Sequence, residues 1–507
     1  MKRYILLLSS LAVLGGGVSC SLDKFPEMSY HEMNYSDPNA DSDSGAQYQT
    51  REDIKAQLDA LYSGIRSNIQ ESGYSDHLIY TEVRADNAYG GTAGLELAQI
   101  GSNSMDGSNP NIARDWNFYM NQVGKANQVI CFIDDIKDPS LTDEERKQWK
   151  AEAMCWRAFM WYNMSRLWGE IPIVKEVPPA ITSENVDEVY PMYYPAREPL
   201  DEVFKNILSD LEFATEYAPD PNPADKFLLT KGFAYGMLAR VYAEPPVRDY
   251  SLVAKYCEEV EKLNYELTDR YGDMWAYDEN DAVRNTSESI FEVTWTRTSG
   301  NWVYMMFHRD AYNPDKDYTW AKWCTPSRNL IAAYEAEGDT ERYNTSIIYD
   351  ECAWSNYYPS NNYAFMHKCP TNASSYILMR LGEIYLLHAE ALAFQDDIDG
   401  ALIWLNKIRK RAKLAEYQRT DIASVEDLRD KVLHERRLEL AFEGHRFFDL
   451  VRFGKAAEVC DGANVPGSAS YDSYVPARRP MTAETVLLPV PTAQIDNNSN
   501  LTQNPGY

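Results

Sequence analysis

Two stretches of the sequence combine aromatic rings with polar groups in a way that suits ligand binding. The first, Arg84–Tyr89, follows the first predicted helix, and the second, Trp295–Trp323, is rich in Trp and Tyr. Such rings offer flat platforms for the apolar C–H faces of a sugar, while Arg, Asp and Asn donate to or accept from its hydroxyl groups. The candidate ligand-contacting residues are Arg84, Asp86, Asn87, Tyr89, Trp302, Tyr304, Trp320 and Trp323.

A core position is the alternative for several of these rings, because large aromatic side chains are often buried. Trp295 falls inside the strand predicted over Ser289–Thr296, so we interpret it as a core residue. Trp302, Trp320 and Trp323 fit the core and a binding surface about equally well. The sequence leaves both interpretations open for these three.

No motif in the sequence assigns a catalytic residue. His434-Glu435 is followed by Arg436-Arg437 and Leu438, which does not complete a zinc-protease motif, and there is no Gly-x-Ser-x-Gly elbow or phosphate-binding glycine loop. Carboxylate pairs suited to glycoside hydrolysis arise by chance in a chain with 77 acidic residues, so they carry no weight. We predict a binding protein that is not an enzyme, with a surface glycoside hydrolase as the main alternative.

The sequence holds two weak candidates for a metal site. Asp37–Gly45 resembles part of a calcium loop but lacks the glycine at its sixth position and the closing glutamate, and Asp278–Asp281 is a second acidic turn. We interpret the first as a tether and the second as a solvated turn. No cofactor is predicted, and structural calcium is the alternative. Cys155 and Cys257 lie in helical patterns and are predicted to be core thiols.

The amino-terminal residues have the order of a secretory signal. A charged start, an apolar run over Tyr4–Leu14 and a stretch of small residues end at Cys20. The sequence before Cys20 resembles a lipobox, except that Gly17 stands where Leu is usual. We therefore predict a signal peptide over residues 1–19, lipidation of Cys20, and a polar tether over residues 20–50. No later segment is apolar over the ~20 residues that a membrane span needs.

The charge of the chain indicates which classes of ligand it is suited to bind. The formal net charge is -28 at pH 7. So acidic a protein is unsuited to binding nucleic acid or docking on anionic lipid, and its charge favours neutral ligands.

Helical periodicity covers most of the remaining sequence, and Thr142 to Glu145 has the spacing of a capping box. We predict a loop over Glu71–Pro110 and an irregular, aromatic-rich segment over residues 273–373. The predicted helices are Asp53–Gln70, Trp116–Ile136, Thr142–Trp168, Leu200–Tyr217, Lys231–Ala243, Leu252–Leu263, Tyr376–Phe394, Ile398–Ala412 and Val425–Phe453.

Two of the predicted helix pairs share a spacing of small residues and tyrosines. The pattern in Leu378–Ala412 resembles a tetratricopeptide unit, and Gly236–Val260 repeats it loosely. Such units bury their apolar faces only by stacking on one another. Generic helix pairs produce the same pattern by chance, so periodicity alone leaves the repeat undecided.

Three stretches of the sequence follow one another at a defined spacing: Arg380–Glu390 with its continuation to Ala412, Glu435–Leu450, and the tail from Leu488 to Tyr507. Together, in this order and spacing, they resemble the SusD/RagB family of outer-membrane lipoproteins. Apolar residues cover most of the helix predicted over Glu435–Leu450, so we interpret this motif as structural. Its charges are expected to pair locally, Glu443 with Arg446 and Arg446 with Asp449. The prolines of Leu488–Pro491 are expected to stiffen a surface strand or turn.

The resemblance implies a mainly α fold over residues 51–507, a superhelix of tetratricopeptide-like helix pairs with an irregular ligand-binding part. Members of this family bind oligosaccharides, and in some cases peptides, at the surface of Bacteroidetes cells and act as a lid on a SusC-like TonB-dependent transporter. The resemblance thus implies that transporter and an oligosaccharide as partners, and attachment to the outer membrane through the lipid. A peptide-binding or scaffold lipoprotein of the same fold is a further alternative.

Overall fold

The computed structural model describes residues 47–91, 94–313, 323–352, 357–462, 473 and 478–507. The predicted signal peptide, Cys20, the Asp37–Gly45 stretch and Trp320 lie outside these residues. Within them the chain is mainly helical, which confirms the predicted fold class. In this part of the chain no helix has both the length and the apolar character that crossing a bilayer requires.

The amino-terminal half is built from helices close to the predicted ones. The helix Asp143–Trp168 begins with a capping box, in which Thr142 Oγ1 accepts from the Glu145 N–H and the Glu145 carboxylate accepts from the Thr142 N–H. This confirms the start that the sequence predicts. The helices are α1 (Arg51–Ile69), α2 (Asp76–Leu78), α3 (Leu95–Gly101), α4 (Pro110–Phe132), α5 (Asp143–Trp168), α6 (Val186–Tyr193), α7 (Leu200–Tyr217), α8 (Lys231–Ala243) and α9 (Tyr250–Glu261).

Short strands and further helices complete the fold. The strands in the described residues are β1 (Ala88–Tyr89), β2 (Ser289–Val293), β3 (Thr325–Pro326), β4 (Ile347–Asp350), β5 (Tyr363–Met366) and β6 (Tyr376–Arg380). They pair antiparallel, β1 with β3, β2 with β6, and β4 with β5. The helices are α10 (Tyr304–Phe307), α11 (Arg328–Glu337), α12 (Thr340–Ser346), α13 (Leu381–Phe394), α14 (Ile398–Arg411), α15 (Val425–Glu439), α16 (Arg446–Arg452), α17 (Ala456–Gly462) and α18 (Thr492–Asn497).

The long helices pack one after another into a single array. Helix α1 packs on α4, α4 on α5, α5 on α7, and the series continues through α8 and α9 to α13, which contacts both α14 and α15. Tyrosines lie between paired helices: Tyr242 of α8 stacks on Tyr256 of α9 at 5.8 Å, and Tyr385 of α13 contacts Trp404 of α14 at 5.0 Å between ring centroids. Neighbouring helices thereby bury the faces that neither covers alone.

Two predicted stretches have a different conformation in the structure. The stretch after α1, predicted as a loop, continues through the π-helical turns Gln70–Ser75 and Ile79–Val83. Residues 376–380, predicted as the start of a helix, form strand β6 and pair with β2. In both places a tertiary partner decides the conformation, since neighbouring elements bury these residues.

The helix predicted over Val425–Phe453 is divided in two. Helix α15 ends at Glu439, and the chain then turns through Phe442 and Gly444, whose φ angles are +65° and +83°. A Cβ atom on Gly444 would also lie 2.5 Å from the ring of His77. Glycine is therefore required here both for the left-handed backbone and for the close approach of His77.

Charged groups of the predicted structural motifs form a buried ionic network. Arg380 lies 2.8 Å from Glu288, 2.7 Å from Glu439 and 2.7 Å from Glu443, and all four side chains are buried. A charge stays ionised in the core only when opposite charges and hydrogen bonds surround it. The network confirms the structural interpretation of these motifs.

The local ion pairs predicted within Glu435–Leu450 are wrong. Arg446 pairs with Asp86 across 360 residues, with Nε 2.7 Å from Oδ1, while Glu443 pairs with Arg380. Asp449 pairs with Arg436. The turn after α15 sends these side chains toward different elements, so their sequence spacing does not set their partners.

The carboxyl-terminal tail is part of the core, which corrects the predicted surface position of its prolines. Leu488 and Val490 are fully buried, and Pro489 and Pro491 are buried as well. The indole N–H of Trp168 donates to the Pro489 carbonyl at 3.1 Å. Because proline has no backbone N–H, it leaves no donor to satisfy at these buried positions.

Candidate ligand-binding site

The candidate site lies where helix α1 passes into the π-helical turn Gln70–Ser75. Apolar residues on one face of α1, including Ile65 and Ile69, are buried in the core. Polar residues of its last turn, such as Ser67 and Asn68, are exposed. Single π-helical turns widen a helix locally and are common at functional sites.

A cleft of about 660 Å³ separates this turn from helix α4. The contributing residues of α4 recur every three or four positions, so they form one stripe along that helix. The lining residues are Ser67, Asn68, Gln70, Glu71, Ser72, Arg114, Asn117, Phe118, Asn121, Gln122, Lys125 and Trp302. Amide and hydroxyl groups thus face an aromatic wall, within the size range of small-ligand sites.

Trp302 forms the aromatic wall and is held by its own backbone. Its N–H donates to Gln70 Oε1 at 2.9 Å, which joins the loop to the end of α1. The preceding Asn301 is buried and donates from Nδ2 to the Ser374 carbonyl at 2.7 Å. The ring packs partly on the core and stays partly exposed to the cleft. A fixed, partly exposed indole is a suitable stacking surface.

One ionic cluster lies at the end of the cleft. Arg114 pairs with Glu71 at 2.6 Å and with Asp115 at 3.3 Å, and it also contacts Asp76. Burial raises the pKa of Asp76 well above its usual value, and the neighbouring carboxylate of Asp115 raises it further. The Asp76–Asp115 pair therefore favours holding a proton, and the Arg114 guanidinium is fully engaged with the cluster.

A second cleft, of about 780 Å³, lies on the other side of α1 and shares Ser67 and Gln70 with the first. Its polar groups have protein partners: Tyr62 Oη donates to Glu152 at 2.6 Å and accepts from the Leu229 N–H at 3.1 Å. We therefore place the candidate site in the smaller cleft, whose wall carries Trp302.

The early stretch Arg84–Tyr89, predicted to contact the ligand, does not line either of these two clefts. Arg84 is 1% exposed and donates to Asn103 at 2.8 Å and to the Thr485 carbonyl at 2.7 Å. Burial lowers the pKa of Arg84 to about 10. Its guanidinium joins the early segment to the tail and is not presented to a ligand.

The other three candidate residues of this stretch also bind groups within the protein. Burial acts to raise the pKa of Asp86, but its ion pairs with Arg437 and Arg446 hold that pKa well below the usual range. Asn87 is fully buried and accepts from Arg437 Nε at 2.8 Å. Tyr89 is buried and stacks on Tyr357 at 4.4 Å. Their side chains therefore form ion pairs, hydrogen bonds and ring contacts within the protein.

The later stretch is divided between core and cleft. Trp295 is buried, as predicted, and Tyr304, a predicted ligand contact, is 7% exposed and packs in the core. Trp323 is partly buried, and its backbone N–H donates to the Met306 carbonyl at 2.6 Å. Of the described candidates only Trp302 lines the cleft. Trp320 lies outside the described residues.

Most of the polar lining was missed by sequence reasoning. Asn117, Asn121, Gln122 and Lys125 lie in a helix that the sequence does predict, and their spacing of three or four residues is visible in it. That spacing is a weak signal, because polar stripes on helices usually face solvent.

The predicted acidic turn Asp278–Asp281 is closed by its own backbone. Asp278 Oδ1 accepts from the Asn280 N–H at 2.7 Å and from the Asp281 N–H at 3.1 Å. Among the described residues no group of His, Cys, Asp and Glu is arranged to hold a metal ion.

Fold and site together define a class of protein, an array of helix pairs that carries an amide-lined surface cleft with a tryptophan wall. Comparison with known proteins places the chain within that class. The model of the SusD family matches residues 247–507, and a model described as starch-binding associating with outer membrane matches residues 34–243. The chain belongs to the SusD family.

Relatives and solved structures agree with this assignment. SusD-like protein P2 of Formosa agariphila is 24% identical over 91% of this chain and 93% of its own length. A SusD-like protein of Bacteroides ovatus is 23% identical over 89% of this chain and 82% of its own. Surface glycan-binding protein A from Bacteroides fluxus superposes with a TM-score of 0.73 at 22% identity, and a laminarin-binding SusD-like protein with 0.70 at 20%. Each covers 91% of this chain and 100% of its own. Such identities establish a shared fold.

Proposed function

We propose that this protein binds oligosaccharides at the cell surface without altering them and delivers them to a SusC-like TonB-dependent transporter. The observation that carries the proposal is the partly exposed Trp302 wall of an amide-lined cleft in a member of the SusD family. Sugar rings stack on indoles, and amides donate to and accept from hydroxyl groups. Two structures of the same fold are named for laminarin and surface glycan binding, which supports a glycan ligand.

Attachment to the outer membrane is part of the proposal. The signal-like start and Cys20 supply a lipid anchor, and one of the two matching family models is described by its association with the outer membrane. A multiply acylated cysteine holds a protein on a membrane more firmly than a single chain does. The tether over residues 20–50 would let the folded domain reach a transporter beside it.

The binding test is a glycan-array screen followed by calorimetric titration of the best ligands into the purified full chain. We expect oligosaccharide binding that weakens in a Trp302→Ala variant, and recovery of the unaltered sugar after incubation. Released shorter products would indicate a glycoside hydrolase. Binding of peptides but not glycans would indicate the peptide-binding alternative. A mild-detergent pull-down that recovers no β-barrel transporter would contradict the delivery step.

A further inference from the structure

One amide at the floor of the cleft has an unused hydrogen-bond donor. Gln122 is fully buried, and its Oε1 accepts from the Trp156 indole N–H at 3.3 Å. Its Nε2 has no acceptor among the residues that the structure describes. A buried N–H without an acceptor destabilises the folded protein. Because Gln122 lines the cleft, an oxygen atom of a ligand in the cleft would supply that acceptor.

Lys125 lies one turn further along α4 on the same stripe. Its side chain crosses helix α1 at Gly64, where a Cβ atom would collide with the ammonium group. No ion pair or hydrogen bond joins it to a residue in the described ranges, and burial lowers the pKa of its ammonium. Partial burial removes some of the water that would solvate this charge, so an anionic group in the cleft would stabilise it.

The charged groups of the cleft are unevenly paired. Three of its lining residues are charged: Glu71 pairs with Arg114, which also contacts Asp76 and Asp115 at the end of the cleft, whereas Lys125 has no ion pair among the described residues. The chain as a whole carries 77 acidic against 49 basic residues. At physiological ionic strength the Debye length is about 8 Å, so distant surface acids are largely screened from a group in the cleft.

We propose that the cleft selects acidic glycans, with an oxyanion on the sugar bound between Lys125 Nζ and Gln122 Nε2 while the ring stacks on Trp302. This inference rests on the proposed function and names its ligand class. The oxyanion is a uronic-acid carboxylate or a sulfate ester, since both offer the charge and the acceptor lone pairs that these donors lack. A neutral hydroxyl would accept from Gln122 but would leave the lysine without a counter-charge.

The test compares each acidic oligosaccharide with its neutral counterpart. The full chain is titrated with oligogalacturonate and with the same oligomer after reduction of its carboxyl groups, then with a sulfated carrageenan oligosaccharide and its desulfated form. We expect an acidic form to bind about tenfold or more tightly than its neutral counterpart, with an advantage that falls as salt rises. The arm that shows the advantage identifies the oxyanion.

Variants of Lys125 test whether this residue causes the preference for acidic oligosaccharides. Lys125→Met should abolish the advantage of the acidic form while binding of the neutral form persists, and Lys125→Arg should retain part of it. Lys205→Met, a change of the same charge at an exposed position outside the cleft, should have no effect. Equal binding of acidic and neutral forms, or an unaffected Lys125→Met variant, overturns the inference and leaves the proposed function standing. If none of these oligosaccharides binds in either form, the inference is overturned, and the glycan-array screen decides whether the proposed function stands.

Discussion

Replacing Trp302 with alanine tests whether its ring stacks on the ligand or packs as a core residue. The backbone N–H that donates to Gln70 survives the change, so the loop keeps its attachment to α1. The variant loses the stacking surface, which is worth roughly 1 kcal/mol by analogy with aromatic pairing. Since 1.4 kcal/mol is a factor of ten, oligosaccharide affinity should fall about fivefold. Because the ring is only partly buried, the cost in unfolding free energy should be about 1 kcal/mol.

Trp295→Ala is the matched control, because Trp295 is 3% exposed and belongs to the core. Removing a buried Trp should cost about 3–5 kcal/mol of stability. Calorimetric titration and thermal melting of both variants under the same conditions test the contrast. A Trp302→Ala protein that melts as early as Trp295→Ala and binds its glycan with unchanged affinity would refute the assignment of Trp302 to the site.

Three further changes test the network, its pH dependence and the anchor. Arg380→Met leaves Glu443 and its buried neighbours short of counter-charge and should cost about 3–5 kcal/mol in chemical denaturation. Burial acts to raise the pKa of Glu383, but its pair with Arg240 lowers that pKa to about 2. Ionised Glu383 therefore contributes its full stabilisation above pH 4.5, the ordinary pKa of the group, and this stabilisation is lost as the pH falls toward 2. In urea denaturation, Glu383→Gln should make the unfolding free energy depend less on pH over this range. Cys20→Ala should move the protein from the membrane fraction to the soluble one.

Each of these has a result that counts against it. An Arg380→Met protein as stable as the parent would mean that the buried carboxylates find other partners. An unchanged acid profile in Glu383→Gln would show that other carboxylates dominate the acid response. A Cys20→Ala protein that still sediments with outer membrane would place the anchor elsewhere.

The helices could be predicted because their signals are local. The Thr142–Glu145 capping box lies within one turn, and helices such as Leu200–Tyr217 and Lys231–Ala243 begin and end where the sequence indicates. Periodicity of apolar residues reports burial of one helix face whatever covers it. The family motifs likewise identified the fold, since they specify a buried ionic core and need no knowledge of the ligand.

The candidate site could be predicted only in part, because its geometry depends on long-range partners. Asp86 and Trp302 looked equally suited to a ligand, yet Asp86 is neutralised by Arg437 and Arg446, hundreds of residues away. Trp302 reaches the cleft because Gln70 holds its loop at the end of α1. Sequence spacing carries no information about such pairings.

Composition and local order by themselves determined the mainly helical class, the family, and the predicted lipid anchor at Cys20. Only the tertiary structure decided which polar residues are already paired and which face the cleft. Lys125 shows the difference: in the sequence it is one cation in an acidic chain, and in the structure it is a cation without a counter-charge beside the buried donor of Gln122. Net charge is a sum over the whole chain, whereas recognition depends on the few groups within a Debye length of the ligand.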